Sequence, residues 1–348
     1  MSPHTKLLTS LSLLLGTTIT LSSNHWMMAW TGLEINTLAI IPMISKSHHP
    51  RAIEATIKYF LVQATASIML LFSSTTNAWS SGQWDITQMT HPTSCLILTM
   101  AIAMKLGLVP FHFWFPEVLQ GTTLTTALLL STLMKLPPLT LLLLTSHSLN
   151  PTLLTTMAIL STALGGWMGL NQTQTRKILA FSSISHLGWM TAIILYSPKL
   201  TLLTFCLYSA MTSSVFMTLN TTKTMNLPTM MISWTKAPVL NSTLMLTLLS
   251  LAGLPPLTGF LPKWLILQEL TNQELTPEAT IIAMLSLLSL FFYLRLAYYS
   301  TITLPPNSST HMKQWYTCNP PSTHTTTAIL TSMSISLLPL TPMILAYM

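Results

Sequence analysis

Charged side chains are scarce in this sequence. Lys and Arg number 14 and Asp and Glu 7, together 6 % of 348 residues, where soluble globular domains carry roughly 25 %. That scarcity excludes a water-soluble enzyme, a disordered tail and a nucleic-acid-binding domain, all of which need more charge. Cysteine is scarcer still. Cys95, Cys206 and Cys318 have no short spacing, so they supply no iron–sulfur or zinc pattern and no even disulfide framework. No GxGxxG or Walker-type loop occurs either, which argues against a nucleotide site in this chain.

What is present is apolar. Half the residues are hydrophobic and the mean hydropathy is +0.58. Much of the remainder is Thr and Ser, whose hydroxyls can bond back to their own helix in lipid. The composition is that of an all-α polytopic membrane protein. A net charge of +7 would suggest an anionic partner in a soluble protein, but in a membrane protein the positions of the cations report topology. Lys6 followed by an apolar run from Leu7 resembles a signal peptide. Nothing like a small-residue cleavage site precedes Asn24, and the segment is read as a first, retained helix.

A helix needs about 20 apolar residues to cross the hydrocarbon core. By that measure spans are expected near 3–23, 25–45, 52–73, 94–120, 122–146, 151–170, 176–196, 199–220, 238–270, 276–303 and 325–346, eleven in all. Alternating loops then place Lys6, Lys46, Arg51, Arg176, Lys177, Lys223, Lys236 and Lys313 on one side. The other side receives Asp85, Lys199, Glu269, Glu274 and Glu278. Eight cations against one is the asymmetry of the positive-inside rule, and it puts the N-terminus on the basic side and the C-terminus opposite.

Two of these spans are overlong and interrupted by proline. Gly107, Leu108, Pro110 and Pro116 recur as Gly253, Leu254, Pro256 and Pro262, each displaced by 146 residues. The second copy lies five spans after the first, an odd offset, so the two cross in opposite directions. Paired broken helices in an inverted repeat are a signature of secondary transporters, with the ion site near the breaks. The alternative is two proline kinks in a plain bundle. Glu54 and Lys58, four apart, read as a structural i,i+4 pair, and Arg295 as a side chain snorkelling from the end of its span.

Four charges fall at mid-span: Glu34, Lys105, Lys135 and Lys263. Each costs at least ~2.5–3.5 kcal/mol at the centre of a membrane, so four unpaired cost on the order of 10–14 kcal/mol, which a purely structural bundle does not require. Burial disfavours the charged form of a lysine and a nearby carboxylate favours it. A Glu34–lysine pair that forms and breaks would therefore swing the lysine between charged and neutral, and a line of such lysines could pass protons. His112 at the first break and His186 in the seventh span belong to the residue type whose unperturbed pKa lies near neutrality and are read either as relays or as satisfied core residues. His4, His25, His48, His49, His91, His147, His311 and His324 are assigned to loops or interfaces. Glu117 either caps its half-helix or belongs to the pathway.

The strings Trp30-Thr-Gly-Leu-Glu-Ile-Asn36, Met104-Lys-Leu-Gly-Leu-Val-Pro-Phe-His-Phe-Trp-Phe-Pro-Glu117, Arg176-Lys-Ile-Leu-Ala-Phe-Ser-Ser-Ile-Ser-His186 and Ala252-Gly-Leu-Pro-Pro-Leu-Thr-Gly-Phe-Leu-Pro-Lys263 carry a resemblance. They resemble the subunit 2 family of mitochondrial NADH:ubiquinone oxidoreductase, respiratory complex I, in its vertebrate form and over the whole chain. The resemblance implies one antiporter-like domain with two inverted five-helix repeats, near 25–170 and 176–346, and one extra helix, 3–23 or 325–346. Bacterial relatives carry three further N-terminal helices. It implies that Glu34, Lys105, Lys135 and Lys263 match the family's essential charges, although Lys105 aligns with Leu251 in the internal repeat, so the halves are not equivalent. It implies that the chain holds no cofactor, with NADH, FMN, iron–sulfur clusters and ubiquinone bound by other subunits. The implied location is the mitochondrial inner membrane, N-terminus in the matrix. The implied partners are the antiporter-like subunit 4, the small subunit 4L, a lateral helix of subunit 5 and membrane lipids, with no nucleic acid. Three functions compete: a proton-translocating subunit of a redox pump, a free-standing cation/proton antiporter or solute carrier, and a passive scaffold of the membrane arm.

Overall fold

The computed structural model of the chain describes residues 3–47, 49–302 and 322–340. His48, His311, Lys313, Cys318 and the end of the 325–346 span lie outside the described residues. The described residues are helical, without a named strand, and the chain divides into two compact units, Met1–Ser161 and Thr162–Met348.

The first unit contains α1 (Pro3–Ser22), α2 (Trp26–Ile44), α3 (Pro50–Ser81), α4 (Pro92–Leu106), α5 (Trp114–Gly121), α6 (Leu124–Ser131) and α7 (Leu136–Leu144). Helix α8 (Pro151–Gly169) carries the division. The second unit continues with α9 (Thr175–Ile193), α10 (Pro198–Thr222), α11 (Leu227–Lys236), α12 (Pro238–Ala252), α13 (Phe260–Asn272), α14 (Thr276–Ala297) and α15 (Ser322–Ser336). Among the described residues five stretches are long and apolar enough to cross a membrane: Trp26–Ile44, Pro50–Ser81, Leu124–Leu144, Pro198–Thr222 and Thr276–Thr301. The shorter apolar helices Pro92–Leu106 and Pro238–Ala252 are the leading halves of the two overlong spans.

The starts of these helices follow from local chemistry. Proline occupies the first turn of α3, α4, α10 and α12, where its missing N–H has no acceptor to lose. Two loop histidines are N-caps: His25 Nδ1 accepts from the Met27 N–H at 3.2 Å and His49 Nδ1 from the Arg51 N–H at 3.3 Å. Hydroxyls inside the helices donate to carbonyls one turn back, as in Thr20 to Thr17 (2.8 Å) and Thr204 to Thr201 (2.8 Å), so they add no unsatisfied group to an apolar surface.

Three features depart from the sequence reading. Helix α3 runs to Ser81, eight residues past its expected end, before Gly82 turns it with φ 74°. Its polar tail looks like loop, but Ser73, Thr75 and Ser80 bond back to Leu70, Phe72 and Asn77. The expected loop between residues 220 and 238 contains the short helix α11, started by the Asn226 N–H donating to Thr229 Oγ1 at 3.1 Å. Arg295 does not snorkel: its guanidinium donates to the carbonyls of Leu170 and Gln172, the latter at 2.7 Å, and so caps the end of α8.

Helices α1 and α2 approach most closely where Gly16 faces Gly32. A Cβ on Gly32 would lie 2.6 Å from Thr20 Cγ2 and 3.0 Å from the Gly16 carbonyl oxygen, the small-residue contact by which membrane helices bring backbones together. With its amide oriented to satisfy both ends, Asn36 donates to the Leu13 carbonyl at 2.9 Å across the same seam. Gly32→Leu is expected to destabilise the first unit by ~1–3 kcal/mol through overpacking. Leu38→Ala, on the exposed face of α2, should change stability little. Detergent-denaturation midpoints of the two variants check this.

Candidate functional site

Helix α4 ends at Gly107, which adopts φ 76° and returns its N–H to the Ala103 carbonyl at 2.9 Å. Non-helical backbone follows until α5 begins at Trp114, and the carbonyls of the last turn of α4 lose their helical donors. One is recovered by Trp114, whose Nε1 donates to the Met104 carbonyl at 3.2 Å. The Gln63 amide, 3.5 Å from the Lys105 carbonyl, faces a second. Lys105 itself is buried, 6 % exposed, and its Nζ has no hydrogen-bond partner among the described residues.

The fifth span is broken too, at a point the sequence reading left continuous. Helix α6 stops at Ser131, a 3-10 turn covers Leu133–Lys135, and α7 restarts at Leu136. The cause is Pro137-Pro138: neither has an N–H to give to the carbonyls of Leu133 and Met134, so the α-helical ladder cannot continue through them. Lys135 sits in this break, 2 % exposed, with its Nζ 4.6 Å from the centre of the Phe115 ring. That distance is a cation–π contact.

Lys105 and Lys135 line one cavity with Asn36, Tyr59, Gln63 and Phe115. It leaves about 20 Å³ for the centre of a water molecule, and 10–15 Å³ or so suffices for one. Glu34 lies half-buried one turn from Thr37, a wall residue. No direct ion pair joins Glu34 to Lys105 among the described residues. His112 is buried in the α4–α5 break, its ring centre 4.2 Å from that of Phe113 and tilted 33° to it, but is not part of the cavity wall.

Glu117 is held elsewhere. Lys58 Nζ meets Glu54 Oε1 at 2.5 Å and Glu117 Oε2 at 2.6 Å, so the expected i,i+4 pair is a three-membered cluster tying α5 to α3. All three side chains are 40–61 % exposed, and exposed pairs are screened by solvent and add little stability.

In the second unit α12 ends at Gly253 with φ 84°. Here the freed carbonyl of Ala252 is capped by Lys263, whose Nζ donates to it at 2.8 Å and lies 5.9 Å from the centre of the Trp189 ring. Counting back 146 residues from Lys263 reaches Glu117, so the two breaks carry opposite charges at the same position. His186, half-buried on α9, stands 3.3 Å from the Tyr293 hydroxyl, with the Tyr208 ring centre 5.3 Å away. Sequence reading passed over Tyr59, Gln63, Tyr208 and Tyr293. The one available signal was the four-residue spacing of Tyr59 and Gln63, which puts two polar groups on one helix face. No group of three or more His, Cys, Asp or Glu side chains suited to a metal occurs among the described residues.

Residues 23–291 match the family described as NADH:quinone oxidoreductase/Mrp antiporter, transmembrane, and residues 290–345 match NADH dehydrogenase subunit 2 C-terminus. The NADH-ubiquinone oxidoreductase chain 2 of Struthio camelus is 77 % identical over 346 residues, 99 % of each chain. That of Coturnix japonica is 76 % identical over 344 residues, again 99 % of each. Among solved structures, a chain of respiratory complex I from Thermus thermophilus superposes with a TM-score of 0.88 at 24 % identity, covering 97 % of this chain and 79 % of that one. A chain of the Mrp complex from Dietzia sp. gives 0.83 at 14 % identity, covering 97 % and 75 %. These likenesses establish an antiporter-like helical fold.

Lys263 packs directly over Gly253 on its way to Ala252: a Cβ there would lie 3.0–3.1 Å from Lys263 Cδ, Cε and Nζ. Gly82 has the same left-handed backbone, φ 74°, with nothing within 4 Å of its Cβ position. Both Gly→Ala changes carry the left-handed penalty of about 1–2 kcal/mol. Gly253→Ala is expected to lower the thermal midpoint further than Gly82→Ala, because only it crowds the capping lysine. Equal losses would mean that the contact carries no stability.

Proposed function

Because this chain belongs to the NADH-ubiquinone oxidoreductase chain 2 family, we propose that it is a membrane-arm subunit of respiratory complex I. It translocates protons while NADH oxidation and ubiquinone reduction proceed elsewhere in the complex. The observation that carries the mechanism is the pairing of Lys105 and Lys135 on one cavity, with Glu34 on α2 one turn from its wall residue Thr37. An ammonium in an apolar interior is stable when a carboxylate or ring face opposes it and loses its proton when that partner withdraws. The Phe115 ring at Lys135 and the Glu34 carboxylate near Lys105 are such partners.

In this reading Glu34, Lys105 and Lys135 carry protons in the first unit and Lys263 in the second, with His112 and His186 as relays. A water in the cavity between Lys105 and Lys135 would bridge them, since proton transfer needs heavy atoms within hydrogen-bond reach. At the second break a protonated Lys263 holds the Ala252 carbonyl. Loss of its proton would leave an amine that binds that carbonyl less strongly, so protonation there would be felt by the end of α12.

The finer assignments follow the same reading. The chain has eleven spans in two inverted five-helix repeats plus one helix, and the division near residue 161 supports a two-part organisation. It resides in the mitochondrial inner membrane, basic side and N-terminus in the matrix and C-terminus toward the intermembrane space. Its neighbours are subunit 4, subunit 4L and the lateral helix of subunit 5, and NADH, FMN, iron–sulfur clusters and ubiquinone are held by other subunits.

The deciding experiment is the number of protons translocated per NADH oxidised in assembled complex carrying Lys135→Ala, beside Lys223→Ala at an exposed helix end. Lys135→Ala is expected to reduce pumping and coupled electron transfer at least tenfold, with Lys223→Ala near wild type. Normal assembly with unchanged stoichiometry would make the chain a scaffold and remove these residues from the pathway.

A further inference from the structure

We infer that Tyr59 is a positioning residue for proton transfer in the first unit: its hydroxyl holds the water that carries a proton between Lys105 and Lys135. This rests on the reading of the two lysines as proton carriers, and it names the group that orients the water between them.

A buried water makes about three hydrogen bonds. In transfer, two of them run to the lysines, one accepted from an ammonium and one donated to an amine. Without a third partner the water can turn about the line joining the two nitrogens and lose the geometry that transfer needs. Besides the lysines and Tyr59, the polar side chains on the cavity wall are Asn36, Thr37, Gln63 and Trp114. Each has a donor committed elsewhere. Asn36 reaches the Leu13 carbonyl at 2.9 Å, and Thr37 Oγ1 donates to the Glu34 carbonyl at 2.8 Å. Gln63 Nε2 faces the Lys105 carbonyl at 3.5 Å, and Trp114 Nε1 donates to the Met104 carbonyl at 3.2 Å.

Tyr59 differs. Its side chain is 1 % exposed and its hydroxyl has no hydrogen-bond partner among the described residues. A buried hydroxyl left in that state is costly, and the cavity it lines has room for a water that would satisfy it. A phenol hydroxyl can donate to the water or accept from it, so it suits either orientation of the transferring molecule.

The ring is held in place by the first break. It meets the Trp114 ring edge-on, with centres 5.8 Å apart and planes at 60°, and Trp114 is itself fixed to the last turn of α4. The next residue, Phe115, presents its ring to Lys135 Nζ at 4.6 Å. One short helix, α5, therefore carries both the ring that supports Tyr59 and the ring that opposes Lys135. In the transfer, an N–H bond breaks at the Lys105 ammonium as the water takes the proton, and the water passes another of its protons to the Lys135 amine. Lys105 ends as the amine, Lys135 as the ammonium, and both the water and the Tyr59 hydroxyl are unchanged.

The test uses the whole assembled complex carrying Tyr59→Phe, which removes the hydroxyl and keeps the ring against Trp114. Coupled NADH oxidation is expected to fall roughly fivefold, the loss of one hydrogen bond to the transferring water. Its solvent deuterium isotope effect should rise, because proton transfer becomes the slow step, while the thermal midpoint stays at the wild-type value. Tyr298→Phe, at an exposed position, should change none of these. Lys135→Ala separates the two levels of the argument. If it stops coupled turnover while Tyr59→Phe keeps the wild-type rate, the inference alone falls; if it leaves pumping untouched, the reading and the inference fall together. A slow Tyr59→Phe with an unchanged isotope effect would also overturn the inference. One measurement needs no variant: a high-resolution map of the wild-type complex should show a water about 2.5–3.0 Å from Tyr59 Oη, and a water joining the two lysines out of reach of that oxygen would overturn the assignment.

Discussion

A helix that stops inside an apolar layer leaves its last carbonyls without donors, and each such group costs several kcal/mol where water cannot reach it. Much of this structure is an answer to that constraint. Helix α4 stops at Gly107 and Trp114 folds back to the Met104 carbonyl. Helix α12 stops at Gly253 and Lys263 folds back to the Ala252 carbonyl. Helix α8 ends against the guanidinium of Arg295. The donors differ in kind, an indole, an ammonium and a guanidinium, but each arrives from a segment that begins after the break or from another helix. Breaks therefore need tertiary partners, and those partners put polar and ionisable groups where proton chemistry can use them.

The charges fall into two physical classes. Lys58, Glu54 and Glu117 are half-exposed and satisfy one another at 2.5–2.6 Å, an arrangement whose energy is screened and modest. Lys105 and Lys135 are almost fully buried and border a space large enough for water. The protonation of a buried amine follows the groups that oppose it, so it responds when those groups move. Lys263 is intermediate, because its ammonium is also a helix cap, which ties any change in its protonation to the backbone of the second break.

The paired glycines illustrate how far one sequence motif determines backbone and where it stops. Gly107 and Gly253 take nearly the same left-handed conformation because each ends a helix where a Cβ is disfavoured. What folds over them is not the same. The ring of Trp114 covers the first and the Lys263 side chain the second, and the position that holds Lys263 in one copy holds Glu117 in the other. Equivalent backbone breaks thus present different chemistry.

Composition and hydropathy alone determined the all-helical membrane fold, because scarce charge and long apolar segments admit few other solutions in lipid. Glycine and proline marked the α4–α5 and α12–α13 breaks, and the cost of burying charge singled out Glu34, Lys105, Lys135 and Lys263. These are local properties of the chain. The break at Lys135 was also written in Pro137-Pro138, but an apolar run that reads as continuous hid it. Only the tertiary structure decided that Lys105 and Lys135 share a cavity with Tyr59 and Gln63, that Glu117 turns to Lys58 and that Arg295 caps α8. Each of those facts depends on which faces of distant helices meet, and helix packing brings together residues whose separation along the chain carries no signal of their contact.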